Sequence, residues 1–236
     1  MPTHKSHHPL FGVLPERRSG DELVRRLLDA HPVPVGQSSP SKMYHVLVEL
    51  HDVLRAGVTG HVVELGCFEG TTTLMMRRLL DETRQTEREL HVYDSWEGVP
   101  SPVEQDVPVV DVPLFKRGSC STRREKFEKN FKRSGLRLPV VHSGWFAAIE
   151  DAEYPSPIAF AFFDGDMYSS ITDSFRKVYP KLSRGARVVI DDYGWERTPG
   201  VSKACEDFLR DKRERENLLP DYYGPGIGGG ALFVKS

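Results

Sequence analysis

Two apolar runs end abruptly in acids: Phe162-Phe163-Asp164-Gly165-Asp166 and Val188-Val189-Ile190-Asp191-Asp192-Tyr193. Each reads as a buried strand that stops where the carboxylates begin. In an open α/β sheet, ligands bind in the crevice at the carboxyl ends of the strands, so both acid clusters are expected to face one site. Carboxylates gathered there repel one another, and a bound divalent cation is the simplest way to hold them together. Oxygen donors alone suit a hard ion such as Mg²⁺ better than zinc. The competing reading is that Asp191 and Asp192 cap the turn or helix that follows.

A second constellation lies upstream. Val62-Val63-Glu64-Leu65-Gly66-Cys67-Phe68-Glu69-Gly70 is a strand, a glycine turn and the start of a helix, with the spacing Glu-x-Gly-x-x-x-Gly. Glycine lets the backbone pass close to a ligand. The Gly-x-Gly-x-x-Gly pattern that cradles a dinucleotide pyrophosphate is absent. An acid beside an open glycine turn suits a ligand with a cationic or hydroxylated group and no pyrophosphate, and S-adenosylmethionine is such a ligand. The next strand, His91-Val92-Tyr93-Asp94, also ends in an acid, the position that takes a ribose diol in nucleotide-binding sheets. Asp94 could instead cap its own turn. Taken with Glu64, ribose binding is the favoured reading.

The elements that must position these residues alternate. Helices are predicted over Asp21–Ala30, with a cap near Ser19, and over Lys42–Ala56. Strand–helix units then run from His61–Leu65 with Gly70–Asp81, through Glu89–Tyr93 with Ser121–Ser134 and Leu138–His142, to Ile158–Phe163 with Tyr168–Leu182 and Arg187–Ile190 with Val201–Arg213. Ala231–Val234 closes the chain as a strand. Alternation of this kind predicts a mostly parallel sheet with helices on both faces. The fold class expected is α/β, a Rossmann-like methyltransferase fold with seven strands. Residues 1–57 would form an N-terminal arm and a helical lid or oligomerisation segment, and residues 58–236 the catalytic domain. Ser95–Ser119 is too long for an ordinary connection and is expected to act as a lid. Gly224–Gly230 reads as a hairpin turn.

Bulk properties bound the function. The chain has 236 residues and a net charge of −2, which gives no reason to expect nucleic-acid binding. Three cysteines without a CxxC pair point to a reducing, cytoplasmic setting. No apolar run approaches transmembrane length, so no membrane is expected. The N-terminal histidines His4, His7 and His8 read as part of a loose tail.

Several segments together are specific: Val63-Glu64-Leu65-Gly66…Gly70, Tyr93-Asp94-Ser95-Trp96-Glu97-Gly98-Val99-Pro100, Phe163-Asp164-Gly165-Asp166-Met167-Tyr168-Ser169-Ser170 and Asp191-Asp192-Tyr193-Gly194. From about Lys42 to the C-terminus the chain resembles the macrocin O-methyltransferase family, which methylates sugar hydroxyls of antibiotics and related natural products. The resemblance implies S-adenosylmethionine and Mg²⁺ as cofactors. It makes Asp164, Asp191 and Asp192 the metal ligands, and Asp166 the base that takes the acceptor proton; His142, from its place at a strand end, is the reserve base. The cofactor-binding set is then Glu64, Gly66, Cys67, Gly70, Asp94, Ser95, Ser143, Gly144, Trp145 and Asp164. Trp96, Tyr168 and Tyr193 would line the acceptor pocket. The expected partner is a glycosylated small molecule, and the apolar faces of the first two helices suggest a homo-oligomer. Two alternatives remain open: methylation of a catechol, a phenol or another small acceptor, and a nicotinamide-dependent oxidoreductase on the same architecture.

Overall fold

A computed structural model describes residues 21–34, 37–108, 115–220, 222–223 and 229–236. The expected N-terminal arm, the middle of the long Ser95–Ser119 segment and most of the glycine-rich run before the last strand lie outside the described residues.

Six strands form one sheet: β1 (His61–Leu65), β2 (Leu90–Asp94), β3 (Val140–Ser143), β4 (Ile158–Phe163), β5 (Leu182–Asp191) and β6 (Gly230–Val234). The order is β3-β2-β1-β4-β5-β6. All neighbours pair in parallel except β5 and β6, which are antiparallel. The expected count of seven is therefore six among the described residues. Leu219 adds only an isolated antiparallel bridge to Leu232, and Pro220 beside it lacks the N–H that would extend a ladder.

The helices are α1 (Glu22–Ala30), α2 (Pro40–Arg55), α3 (Thr71–Glu82), α4 (Arg124–Ser134), α5 (Tyr168–Val178) and α6 (Pro199–Leu209). Where their ends differ from the sequence expectation, local chemistry explains it. α1 has Asp21, not Ser19, at its cap position. α2 begins two residues early because the Ser39 hydroxyl accepts from the Lys42 amide and Pro40 occupies the first turn. α5 stops at Val178 because Pro180 forces a tighter 3₁₀ turn before β5.

Period-two alternation splits the core into two layers. Val62, Phe160, Phe162 and Val189 face α1, α2 and α3. Val63, Leu65, Ala161, Phe163 and Ile190 face α5 and α6. α4 lays Phe127 and Phe131 against Val92 at the β2 end of the first face. Each fully buried aliphatic or aromatic side chain contributes about 1.5–3 kcal/mol of transfer free energy. α2 carries eight such apolar positions, from Met43 to Leu54, and packs across β4 and β5. The apolar faces that suggested a partner copy are thus buried within the chain itself, and α1 and α2 belong to the same core as the sheet. Arg187 on β5 ties this packing electrostatically by donating to Glu49 and Asp52 of α2.

Candidate active site

The chain runs outward from β1 to β3, then returns to β4, so β1 and β4 are neighbours reached from opposite directions. Such a switch point opens a crevice at the carboxyl end of the sheet. A cavity of about 540 Å³ lies there, within the range of small-molecule sites. It is lined from the ends of five strands: Gly66 after β1, Asp94 and Ser95 at β2, Gly144 and Trp145 after β3, Asp164 and Asp166 after β4, and Asp191 at the end of β5.

Backbone geometry shows why glycine stands at the centre. Gly66 has φ +90°, and a Cβ there would sit 2.0 Å from the Asp164 carbonyl oxygen. The β1 turn and the β4 acids can approach this closely only without a side chain. Asp94 holds the facing loop. One carboxylate oxygen accepts from the Cys67 and Phe68 amides at 3.0 and 2.9 Å, and the other accepts from the Trp96 amide at 2.8 Å. The turn-capping role and the crevice position of Asp94 coexist.

The acids converge as the sequence implied, with an unforeseen partner. Lys42 of α2 donates to Asp191 at 3.0 Å and to Asp192 at 2.8 Å. Burial opposes its charge, yet Asp191 and Asp192 outweigh burial and raise the ammonium above its usual value. Burial, then Asp191 and Asp166, pushes the Asp164 carboxyl well above the usual carboxylate range. Burial, then Asp192 and Asp191, does the same to Asp166. Asp192 rises to about 6, with Lys42 limiting the effect of burial and of Asp191. Four carboxylates thus share one ammonium, and two of them favour the protonated form.

Lys42 engages the Asp191 and Asp192 carboxylates, and Asp166, which also stands just before a helix, does not cap it. The first amide of α5, Tyr168, donates to Asp106 of the long loop at 2.7 Å, so Asp166 is not the cap. Asp106 also accepts from Val103 at 2.9 Å, which fastens the loop to α5. Asp166 takes a left-handed φ of +59°, and its side chain stays at the cavity.

Other expected site residues are placed elsewhere. Glu64 points away from the crevice: it is buried, accepts from the Thr73 hydroxyl, and is pushed up to about 8, chiefly by burial. Cys67 packs with Val92 and the α4 phenylalanines. Gly70 starts α3 at φ +87°, where a Cβ would strike Phe127. Ser143 accepts from the Trp96 indole at 2.9 Å. Tyr168 donates to Asp207 at 3.2 Å, and Tyr193 packs at the edge of the second core layer. Neither they nor Trp96 line the cavity. His142 does not face the crevice either. It stacks on Tyr93 and is bound between His91 and Glu153.

Sequence reasoning missed Lys42, Phe68, Phe115, Cys120 and Ser170. The last four line the cavity; Phe68 and Ser170 fall within the quoted segments without a role there, and nothing in the local pattern of Phe115 or Cys120 marks them. The Cys120 thiol is pushed up to about 11 by desolvation and by Asp166 and Asp164, so it is no thiolate nucleophile at neutral pH.

This sheet order, with a crevice at its switch point and one antiparallel edge strand, is that of the Rossmann-like methyltransferases. The fold is shared with the O-methyltransferase NovP, at TM-score 0.69 and 24% identity, covering 84% of this chain and 81% of that one. It is shared as well with the calicheamicin methyltransferase CalS11, at TM-score 0.63 and 18% identity, covering 91% and 90%.

Residues 28–220 match the family described as Macrocin-O-methyltransferase (TylF). The chain belongs to that family and is an S-adenosylmethionine-dependent O-methyltransferase. The oxidoreductase alternative falls with this assignment. The chain is 33% identical over 217 residues to the 8-demethyl-8-(2,3-dimethoxy-alpha-L-rhamnosyl)-tetracenomycin-C 4'-O-methyltransferase of Streptomyces olivaceus, covering 84% of this chain and 80% of that protein. It is 32% identical over 177 residues to the demethyldecarbamoylnovobiocin O-methyltransferase of Streptomyces niveus, covering 73% and 65%. It is also 27% identical over 190 residues to the mycinamicin III 3''-O-methyltransferase of Micromonospora griseorubida, covering 78% and 71%.

Proposed function

We propose that this enzyme methylates a sugar hydroxyl of a glycosylated natural product, with Mg²⁺ held by Asp164, Asp191 and Asp192. The observation that carries the reading is the convergence of Asp164, Asp166 and Asp191 on one cavity at the strand ends. The names of the relatives, which act on rhamnosylated tetracenomycin and on mycinamicin, support the acceptor class.

The donor set fits a hard divalent ion in kind. All three groups are carboxylates, and Asp191 Oδ1 is buried, facing the Tyr223 hydroxyl. The fit requires a shift. Among the described residues, the three aspartates do not form a compact ligand set, and Lys42 binds two of them.

When bound, S-adenosylmethionine supplies an electrophilic methyl group and the ion a Lewis acid that lowers the acceptor hydroxyl's pKa. The chain supplies the rest. Asp94 and the Gly66 turn orient the nucleoside. Asp166, in its ionised form, takes the hydroxyl proton. Phe68, Phe115 and Trp145 wall the cavity and limit water. Holding acceptor and donor in line is itself a large part of the acceleration.

One observation favours a second reading. Because Lys42 already neutralises Asp191 and Asp192, the ammonium could stand in for the ion, leaving a metal-independent enzyme. Turnover of a rhamnosylated acceptor with and without EDTA, alongside calorimetric binding of S-adenosylhomocysteine, separates the two. Loss of turnover in EDTA with the nucleoside still bound supports the metal, and retained turnover overturns it. Failure to bind the nucleoside overturns the site assignment itself.

A further inference from the structure

At the opposite end of the sheet from the crevice, His61 begins β1, while Glu89 immediately precedes β2 and His91 lies within it. Donor atoms of these three side chains all lie within 4.8 Å of one another, the one such trio found among the described residues. Glu89 approaches His91 Nε2 at 3.2 Å and His61 Nδ1 at 3.9 Å, and His61 Nδ1 accepts from the Glu89 backbone amide at 3.2 Å, a bond that an ion held through this nitrogen would replace. The imidazoles of His61 and His91 meet edge to face, with centroids 5.8 Å apart.

The contacts continue away from Glu89. His91 Nδ1 lies 3.1 Å from His142 Nε2, and His142 Nδ1 lies 3.0 Å from Glu153. Counting protons along this row exposes a deficit. The three contacts Glu89–His91, His91–His142 and His142–Glu153 each need one proton. Two neutral imidazoles supply two, and ionised carboxylates supply none.

The tautomers decide where the gap falls. If His142 donates from Nδ1 to Glu153 and His91 donates from Nδ1 to His142, every proton is used. His91 Nε2 is then left with a bare lone pair facing the Glu89 carboxylate. That end of the row, and not the Glu153 end, carries a further imidazole. A carboxylate–histidine–histidine relay of this form fixes the tautomer and orientation of a ligating ring.

We propose that His61, Glu89 and His91 form a second metal site, taking a borderline first-row dication of the zinc type, with His142 and Glu153 as positioning residues behind it. Two imidazole nitrogens and one carboxylate oxygen match that ion class and leave a fourth position for water. Bound there, the ion clips the entry to β1 onto the entry to β2, stiffening the sheet far from the reacting groups. The site is independent of the acid cluster and of the proposed Mg²⁺.

The test uses the full chain with His4, His7 and His8 replaced by Ala, so that the tail cannot contribute ligands, in millimolar Mg²⁺ to occupy the acid cluster. Zn²⁺ is titrated by calorimetry and Co²⁺ by its visible spectrum. One equivalent should bind, raise the thermal midpoint and give the intense d–d bands of a four- or five-coordinate site. His61→Ala and Glu89→Gln should each weaken Zn²⁺ at least tenfold with S-adenosylhomocysteine binding unchanged. His142→Gln should weaken it by roughly 10-fold, the scale of an outer-shell partner. Glu89 is solvent-facing, so its variant keeps the fold, and far-ultraviolet circular dichroism verifies this for all three. Absence of binding, or affinity unchanged in the His61→Ala/Glu89→Gln double variant, overturns the proposal.

Discussion

The Lys42 ammonium lies 2.8 Å from the Asp192 carboxylate, joining the first turn of α2 to the end of β5 across 150 residues of chain. This pair ties α2 to the acid cluster. Removing the positive partner of a buried ion pair leaves uncompensated charge and costs about 3–5 kcal/mol. We expect Lys42→Met to lower the thermal midpoint. Mg²⁺ should then restore more of that midpoint in the variant than it adds to the wild type, because the ion no longer competes with an ammonium. Scanning calorimetry with and without Mg²⁺ checks this. An equal Mg²⁺ effect on both proteins would show that lysine and ion do not share the carboxylates.

Asp166 should matter to rate and not to nucleoside binding. Asp166→Asn is expected to lower kcat by 10²–10⁴-fold, the usual contribution of a positioned base, with the dissociation constant for S-adenosylhomocysteine unchanged. Stopped assays and calorimetry on the same preparation read both quantities.

The direction of the pH profile follows from the raised carboxyls. Asp166 is pushed well above the usual carboxylate range by burial and by Asp192 and Asp191, and only its ionised form accepts a proton. Activity should therefore rise with pH through that raised pKa. Added cation should shift the limb to lower pH by favouring ionisation. A profile with no rise above the ordinary carboxylate range would remove Asp166 from the role of base.

Glu64 makes a stability prediction. Its folded-state pKa is raised to about 8, chiefly by burial, so the folded state holds a proton that the unfolded chain releases near its ordinary value. Its stabilising protonation is fully present below the unfolded pKa and is lost as pH rises through about 8. A shift of this size corresponds to roughly 3–5 kcal/mol. Glu64→Gln should flatten the fall in stability across this window. Urea denaturation at acid, neutral and mildly alkaline pH measures the slope for each protein.

Gly66→Ala should damage the site strongly. The added Cβ would meet the Asp164 carbonyl oxygen at 2.0 Å from a backbone at φ +90°. Loss of nucleoside binding should accompany a lower thermal midpoint, since the clash separates the β1 turn from the β4 acids. Unaltered binding would mean that the two strand ends can part without cost to the site.

By itself the sequence determined the parallel α/β sheet, the strand ends that carry Gly66, Asp94, Asp164 and Asp191, and the family to which they belong. These are local properties: period-two apolar runs that stop in glycine or acid announce a strand end wherever they occur. Only the tertiary structure decided which of two adjacent readings each polar residue takes. Glu64 turns to Thr73 because its place in the alternation puts it on the helix-covered face with Val62. His142 joins the row from Glu89 to Glu153, while its neighbour Gly144 reaches the cavity. Asp106, far along the chain, caps α5 and leaves Asp166 at the crevice. Lys42 was invisible for the same reason. In sequence it is one more charge at a helix start, and its partner is set by how α2 lies across β5, a packing relation that no local spacing encodes.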